Sequence, residues 1–314
     1  MKSLIHKVKL QSEHLHGSFN HEYKPILTVH SGDSIQLTTP DIQWGYSTSK
    51  GEAKTFFTSR EQEAKPAHPI VGPFEVADAK AGMVLEIRVN ELVPGWYGEN
   101  WAGGVQNWQN EKLDLIKSER IQVNWELNPL TMTGTCKLGE QTFHVGLQPF
   151  MGLMGVAPAE PGLHTTPPPR YCGGNIDCKE LVRGSSLFLP IAVDGGLFSI
   201  GDGHALQGDG EVSGTAIECP MDFVDITLIL HKEKSLQMPR ANTPSGWITF
   251  GFNEDLNEAT ATALSEMVEL IQQFHNVSKV EATALASVAV DLRITQIVNG
   301  AKGVHAILPH GSIR

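Results

Sequence analysis

Apolar positions in the first two thirds of the chain recur at a spacing of two or in short unbroken runs, the signature of strands. In Met83–Leu92, Leu85, Ile87 and Val89 fall on one face and Glu86, Arg88 and Asn90 on the other, with Gly82 as the preceding turn residue. Ile26–Val29 and Ser34–Thr39 flank His30-Ser31-Gly32-Asp33, which predicts two short strands around a glycine turn. Leu187–Val193, interrupted by Pro190, and Phe223–Leu230 read as further strands, and Val304–Leu308 as a closing one.

Helical spacing appears only late. Asn253 is placed as an N-cap, followed by Glu254 and Asp255 where the helix dipole favours acids. Leu256, Thr260, Ala263, Met267, Leu270 and Phe274 then recur at three- and four-residue spacing, one face of a helix. Ser278-x-x-Glu281 is a capping box for a second helix, whose small apolar body Ala282–Val290 predicts burial all round. The expected fold is mainly β, α+β overall. Its N-terminal two thirds form a β-sandwich or barrel-like core (residues 1–235), with an α+β C-terminal part (236–314) packed on it. Residues 157–176 break the pattern: Ala-Pro-Ala-Glu-Pro-Gly and then Pro167-Pro168-Pro169 exclude helix and central strand. A long irregular segment of this kind is usually functional or a linker, and this one runs straight into Gly173-Gly174-Asn175-Ile176-Asp177.

Composition narrows the class. With 40% hydrophobic and 19% charged residues, 31 Gly and 18 Pro, the chain reads as globular and turn-rich. A net charge of −11 with scattered basic residues excludes a nucleic-acid or other phosphate-rich partner. No window approaches the ~20 apolar residues that span a bilayer, and Met1–Gln11 lacks the apolar core of a secretory signal. The four cysteines, 136, 172, 178 and 219, are too few for a disulfide framework. A reduced, cytoplasmic protein with no membrane partner is expected. Cys172 and Cys178 stand at a spacing wider than a usual zinc pair, so free structural thiols are the plainer reading.

The densest chemical signal is Gly201-Asp202-Gly203-His204-Ala205-Leu206-Gln207-Gly208-Asp209-Gly210-Glu211. Acids and a histidine crowded among glycines repel one another unless a cation compensates. Asp202 and His204, one residue apart, share a face of an extended segment and make a workable ligand pair; Asp209 and Glu211 have the same spacing. Mixed carboxylate and imidazole donors suit zinc, manganese or iron. The run is no EF-hand, because Ser213 stands where a bidentate Glu is required. Gly-Asp-Gly strings are also plain turns, and Asn175-x-Asp177 is equally an Asx-turn, so spacing alone leaves both open. His21, His68, His164 and Asp41 are isolated and carry no assignment, and Trp96–Trp108 reads as pocket wall or core.

Together these residues are similar to a known family. Gly152-x-x-Gly155-Val-Ala157-Pro158-Ala159, Gly173-Gly174-Asn175-Ile-Asp177, Leu187-x-Leu-Pro190 and the long block Leu197–Glu218 resemble the acetamidase/formamidase family. So do His68-Pro-Ile-x-Gly72-Pro73 and Ser287-Val-Ala-x-Asp291-Leu-Arg293-Ile-x-Gln296, so the likeness runs from about residue 25 to 310. The resemblance implies hydrolysis of formamide, acetamide or a related short amide to acid and ammonia, a β-rich fold, a metal at the Asp/His cluster and a homo-oligomer. The departure lies at residues 41–67, where Asp41-Ile-Gln-Trp-Gly-Tyr-Ser-Thr-Ser-Lys replaces an aspartate-rich, glycine-containing segment and puts the amide preference in question.

Clustering and resemblance together assign expected roles. Asp177, Asp202 and His204 hold a divalent metal, zinc favoured, with calcium or another divalent ion as alternatives. Such an ion acidifies water and polarises a carbonyl. Glu211 and Asp209 are the expected catalytic acids, with Glu211 as general base and then acid. Asn175 and Gln207 are expected to orient the substrate amide, since each carries a donor and an acceptor. The competing readings are a hydrolase of another linear C–N compound and a non-catalytic amide- or metal-binding protein on the same fold.

Overall fold

The computed structural model describes residues 3–63 and 67–314, so residues 64–66 of the divergent segment lie outside the described residues. Strand dominates, as the period-two pattern requires. The largest sheet has nine strands in the order Ile5–Val8, Ser34–Thr39, Met221–His231, Val84–Pro94, Ser186–Pro190, Arg240–Thr243, Gly246–Asn253, Lys302–Pro309 and Asp291–Gln296. A second sheet runs Gly173–Asn175, Phe150–Val156, Phe198–His204, Ile70–Val76 and Leu15–His16, with Leu27–Val29 joined in parallel to Ile70–Val76. A third, of four strands, is an antiparallel meander from Tyr97–Ala102 to Gln141–Gly146. Among the described residues no sheet closes into a barrel. Instead, open sheets share one core in which Ile35, Ile87 and Ile226 of the first meet Phe74, Met154 and Phe198 of the second.

The alternation over residues 85–90 is obeyed with one exception. Leu85, Ile87 and Val89 are buried and Arg88 and Asn90 exposed, but Glu86 is buried as well. Its carboxylate is matched by Arg88 Nε at 2.6 Å, Ser186 Oγ at 2.9 Å and His231 Nε2 at 2.6 Å, which offsets the cost of removing it from water. The predicted strand at Leu187–Val193 ends at Pro190, where the chain loses a ladder donor.

The two helices form where the spacing places them, with two corrections. The first is Leu256–His275, and its N-cap is Asp255, whose side chain accepts from Asn257 N at 2.7 Å. Asn253 instead accepts from Asp255 N at 2.9 Å, a turn one step upstream. The second, Lys279–Ala289, has the predicted capping box, but only Ala282 and Ala286 are buried. Val280 and Val288 stay 80% and 84% exposed, because a helix lying on a sheet edge presents one face and alanines supply it. Ala259, Ala263 and Met267 of the first helix pack on Val304, Ala306 and Leu308, so both helices sit over strands of the nine-stranded sheet. No helix among the described residues is long and apolar enough to cross a membrane.

The irregular stretch 157–176 is pinned rather than loose. His164–Thr165 pairs with Ser18–Phe19, and Arg170 donates to Pro168 O at 2.8 Å and Thr165 O at 2.7 Å. It delivers Gly173–Asn175 to the edge of Phe150–Val156.

Candidate active site

The site is built where strand Phe198–His204 ends beside Phe150–Val156. Phe150 pairs with His204 across the ladder, and its ring meets the imidazole edge-on at 5.0 Å, fixing the ring plane. Nε2 of His204 lies 3.3 Å from Asp202 Oδ2 and 3.1 Å from Glu218 Oε2. On its other side, Nδ1 lies 3.9 Å from Asp177 Oδ1. Glu211 completes this second group, so Asp177, His204 and Glu211 form one set of donors within 4.8 Å, and Asp202, His204 and Glu218 another. All five side chains are buried.

The backbone is bent to achieve this. Asp177, Asp202 and Glu211 have φ of 53°, 58° and 48°, a left-handed region that residues with a Cβ rarely occupy. Such strain persists where the surrounding structure enforces it, and it concentrates at functional sites. Gly152 faces Asp202 between the paired Met151–Gly203 and Leu153–Gly201, and it must lack a side chain. A Cβ there would lie 2.6 Å from Asp177 Oδ1, 2.8 Å from His204 Cε1 and 2.9 Å from Asp202 Oδ2.

The remaining contacts hold Asp177. Its Oδ2 accepts from Asn175 Nδ2 at 2.9 Å and from Asn299 Nδ2 at 2.5 Å, while its carbonyl accepts from Gln207 Nε2 at 2.8 Å. Both predicted amide residues therefore spend their NH₂ groups on Asp177, leaving Asn175 Oδ1 and Gln207 Oε1 buried without a donor. Asp177 Oδ1, Asp202 Oδ1, Glu211 Oε2, Glu218 Oε2 and both nitrogens of His204 are also buried and unpartnered. Each such group costs about 1–3 kcal/mol unless something satisfies it. Four carboxylates and an imidazole aimed at one another, with a cradle open above Gly152, fit a divalent cation in both charge and donor type.

Proton affinities report the same crowding. Burial, and then the charges of Asp202 and Glu218, push Asp177 up to about 8. Burial and the neighbouring Asp177 raise Glu211 well above the usual carboxylate range, and burial raises Glu218. Burial acts to raise Asp202 too, but the charges of His204 and His68 hold it below its ordinary value. Burial acts to lower His204, and the carboxylates of Glu218 and Asp202 raise it well above the ordinary imidazole range.

Of the residues singled out from sequence, Asp177, Asp202, His204, Glu211, Asn175 and Gln207 are brought together. Asp209 is not: it is partly exposed and pairs with Lys179 Nζ at 2.9 Å, with Arg293 Nη1 at 3.9 Å. Gly210, at φ 91°, turns the chain between the two acids, so Glu211 enters the site and Asp209 faces outward. His68 stands near enough for its charge to act on Asp202 and Glu218, and its Nδ1 meets Thr166 Oγ1 at 3.0 Å. Asp41 serves a neighbouring network with Lys54 Nζ at 2.7 Å and Tyr97 OH at 2.8 Å. His164 and His21 bond carbonyls of Glu160 and Pro158, away from the cluster. Two contributors, Glu218 and Asn299, were not assigned from sequence. Glu218 arrives through backbone bridges to His204 and Glu99, and Asn299 through a loop between the last two strands, neither of which leaves a local spacing signal.

Beside the cluster, on the side of Glu211 and Gln207, lies a cavity of about 240 Å³ whose wall includes Asn100, Trp125, Val145 and Leu206. Trp125 is held in its wall by a hydrogen bond from Nε1 to Asn100 Oδ1 at 2.8 Å.

Residues 159–311 match the model of the Acetamidase/Formamidase family. The formamidase of Methylophilus methylotrophus is 41% identical over 200 residues, covering 62% of this chain and 46% of that protein. Aligned segments in the curated relatives span 24% to 62% of those proteins' lengths, so the chain corresponds to less than two thirds of each. Among solved structures, the acetamidase of Bacillus halodurans superposes with a TM-score of 0.81 at 26% identity, covering 96% of this chain and 97% of that one. A predicted acetamidase/formamidase from Thermoanaerobacter tengcongensis gives a TM-score of 0.81 at 26% identity, covering 97% and 96%. The matched segment contains Asp177, Asp202, His204, Glu211, Glu218 and Asn299, and the likeness of fold extends over nearly the whole chain. By its cluster-bearing sequence and its fold alike, the chain is similar to the acetamidase/formamidase family.

Proposed function

We propose that this protein hydrolyses short linear amides, of the formamide or acetamide type, to carboxylate and ammonia with the help of a divalent cation. The observation that carries the reading is the buried convergence of Asp177, Asp202, Glu211 and Glu218 on His204, with one oxygen of each carboxylate left without a protein donor. Asp202 and Glu218, beside Nε2 of His204, would hold the ion with that nitrogen, and Asp177 would face it from the Nδ1 side, zinc being the best match to the donor set. When bound, such an ion polarises the amide carbonyl and acidifies a nearby water.

The rest is done by the chain. Glu211 lies in the wall of the cavity with Oε2 unpartnered, and its proton affinity, raised by burial and by Asp177, suits a group that takes a proton and returns it. It removes a proton from the attacking water as the new C–O bond forms, then delivers that proton to the nitrogen as the C–N bond breaks. Asn175 Oδ1 and Gln207 Oε1, whose amide nitrogens are already engaged, accept the N–H groups of the substrate amide and hold its carbon toward the water. Asp209, fixed between Lys179 and Arg293, supports the loop that carries Glu211.

All four cysteines are free, in keeping with the reducing cytoplasm in which we place the protein. We read residues 1–235 as the part that carries most of the site and 236–314 as packed on it, with Asn299 reaching across. A homo-oligomer is part of the same proposal.

The deciding assay is ammonia release from formamide and acetamide by metal-replete protein. Loss on chelation, with recovery on adding back one ion, supports the reading. Metal-loaded protein that releases nothing from either amide moves the substrate to another C–N compound or to binding alone. Asp202→Asn with full activity and full metal content removes Asp202 from the ligand set.

A further inference from the structure

The turn that sends Asp177 into the candidate active site sends its neighbours the other way. Cys178 and Glu180 enter a second buried cluster with His305, which comes from the strand Lys302–Pro309. Cys178 Sγ lies 3.2 Å from Glu180 Oε2, and His305 Nε2 lies 3.6 Å from the same oxygen. The three donor atoms all fall within 4.8 Å of one another. Ligands on a tetrahedral ion with bonds of about 2.0–2.3 Å are separated by about 3.3–3.8 Å, close to the 3.2 and 3.6 Å of the two pairs that share Glu180 Oε2.

Glu180 and His305 are each held from outside the cluster, and within it Cys178 Sγ donates to Glu180 Oε2. Arg293 Nη1 occupies the other carboxylate oxygen, Glu180 Oε1, at 3.0 Å. Thr295 Oγ1 meets His305 Nδ1 at 2.8 Å. With the Nδ1 proton given to Thr295, the lone pair of Nε2 faces the cluster. That nitrogen has no hydrogen-bond partner, although His305 is 0% exposed. A buried imidazole nitrogen left unmatched beside a thiol and a carboxylate oxygen is the arrangement a cation completes.

We propose that Cys178, Glu180 and His305 form a second cation site, separate from the cluster around His204, for a borderline or soft divalent ion of the zinc type. Binding forms a sulfur–metal bond and releases the Cys178 thiol proton to solvent. The thiolate and the Glu180 carboxylate then offset the two charges of the ion. The site ties the turn Asp177–Glu180 to the strand that carries His305, and its role is to hold that turn in place. It does not depend on the amidase reading.

The thiol makes the site separately visible, because the donor sets around His204 contain no sulfur. Metal-free full-length protein is titrated with Co²⁺ and followed by near-ultraviolet thiolate-to-cobalt absorption. The expected result is a band that saturates by about two equivalents per chain, one for this site and one for the cluster around His204. It should be lost in Cys178→Ser, diminished in His305→Gln, and kept in Asp202→Asn and in Cys219→Ser. A wild-type protein with no such band at saturating Co²⁺ overturns the proposal. So does a band that survives in Cys178→Ser or vanishes in Cys219→Ser. Far-ultraviolet circular dichroism checks that the variants fold. Anomalous scattering from zinc-soaked wild-type crystals needs no variant: a peak within bonding distance of Cys178 Sγ supports the site. Zinc at His204 with none at Cys178 rejects it.

Discussion

Gly152 stands across the ladder from Asp202, and a single added carbon on it would come within 2.9 Å of the Asp202 carboxylate and 2.6 Å of Asp177. The space above this glycine is the space into which the donors converge. Gly152→Ala is expected to fold, since no left-handed φ is needed there, and to lose bound metal together with at least ~100-fold in kcat/KM, the scale of a misplaced reacting geometry. Metal analysis and amide kinetics on the same preparation check this. A variant with wild-type metal content and rate would show that the cradle is not where the ion sits.

Glu211 has a buried, unpartnered oxygen at the cavity wall. Glu211→Gln keeps the shape and removes the proton shuttle, so kcat is expected to fall at least ~100-fold with metal retained. Turnover and metal content, measured together, separate this role from that of a ligand. An unchanged kcat would remove Glu211 from the chemistry.

The metal-free protein should respond to pH in a particular window. Asp177 binds its proton up to about 8 in the folded state, far above the value of a free aspartate, and Glu211, Glu218 and His204 are raised in the same sense. A folded state that holds more protons than the unfolded one loses stability as pH rises. His16, lowered to about 3 by burial, and His305, lowered likewise, act in the opposite sense, but only below the ordinary histidine value of 6.5. Between about 6.5 and 8 the carboxylates and His204 therefore dominate. The Tm in the presence of chelator is expected to fall across that interval, and added Zn²⁺ to raise it most at the upper end. A flat or rising Tm without metal would contradict the crowded-carboxylate picture.

Trp125 and Leu206 limit the cavity of about 240 Å³ beside Glu211. Trp125→Ala should enlarge it and shift preference toward longer acyl chains, raising the kcat/KM ratio of butyramide to acetamide about tenfold, within the range set by a few apolar groups. Parallel kinetics on the two amides are the readout. No change in the ratio would mean that the acyl group is housed elsewhere.

Much of this architecture was legible in the sequence because its causes are local. The alternation of Leu85, Ile87 and Val89 and the capping box at Ser278 are short-range patterns, and both form as written. So are the acids and histidine of 202–211, where glycines permit the bends that the chemistry needs. What was hidden depends on distance along the chain. Glu218 reaches His204 through a backbone bridge, and Asn299 lies far downstream of the Asp177 it supports. Asp209 and Glu211 stand two residues apart but point in opposite directions, because Gly210 and Glu211 are left-handed in succession. The exposed valines of the second helix show the converse, since apolar composition does not by itself say how many faces a helix will cover.

The hydrogen bond from Asn299 to Asp177, and the bridge from Gly210 to Gln296, bear on the order in which the protein is made. A ribosome releases Asp177, Asp202, His204, Glu211 and Glu218 long before it reaches these last two partners. A nascent chain halted between them would display the acids without the amide that steadies Asp177, so mature cation capture is postponed until Asn299 has been made.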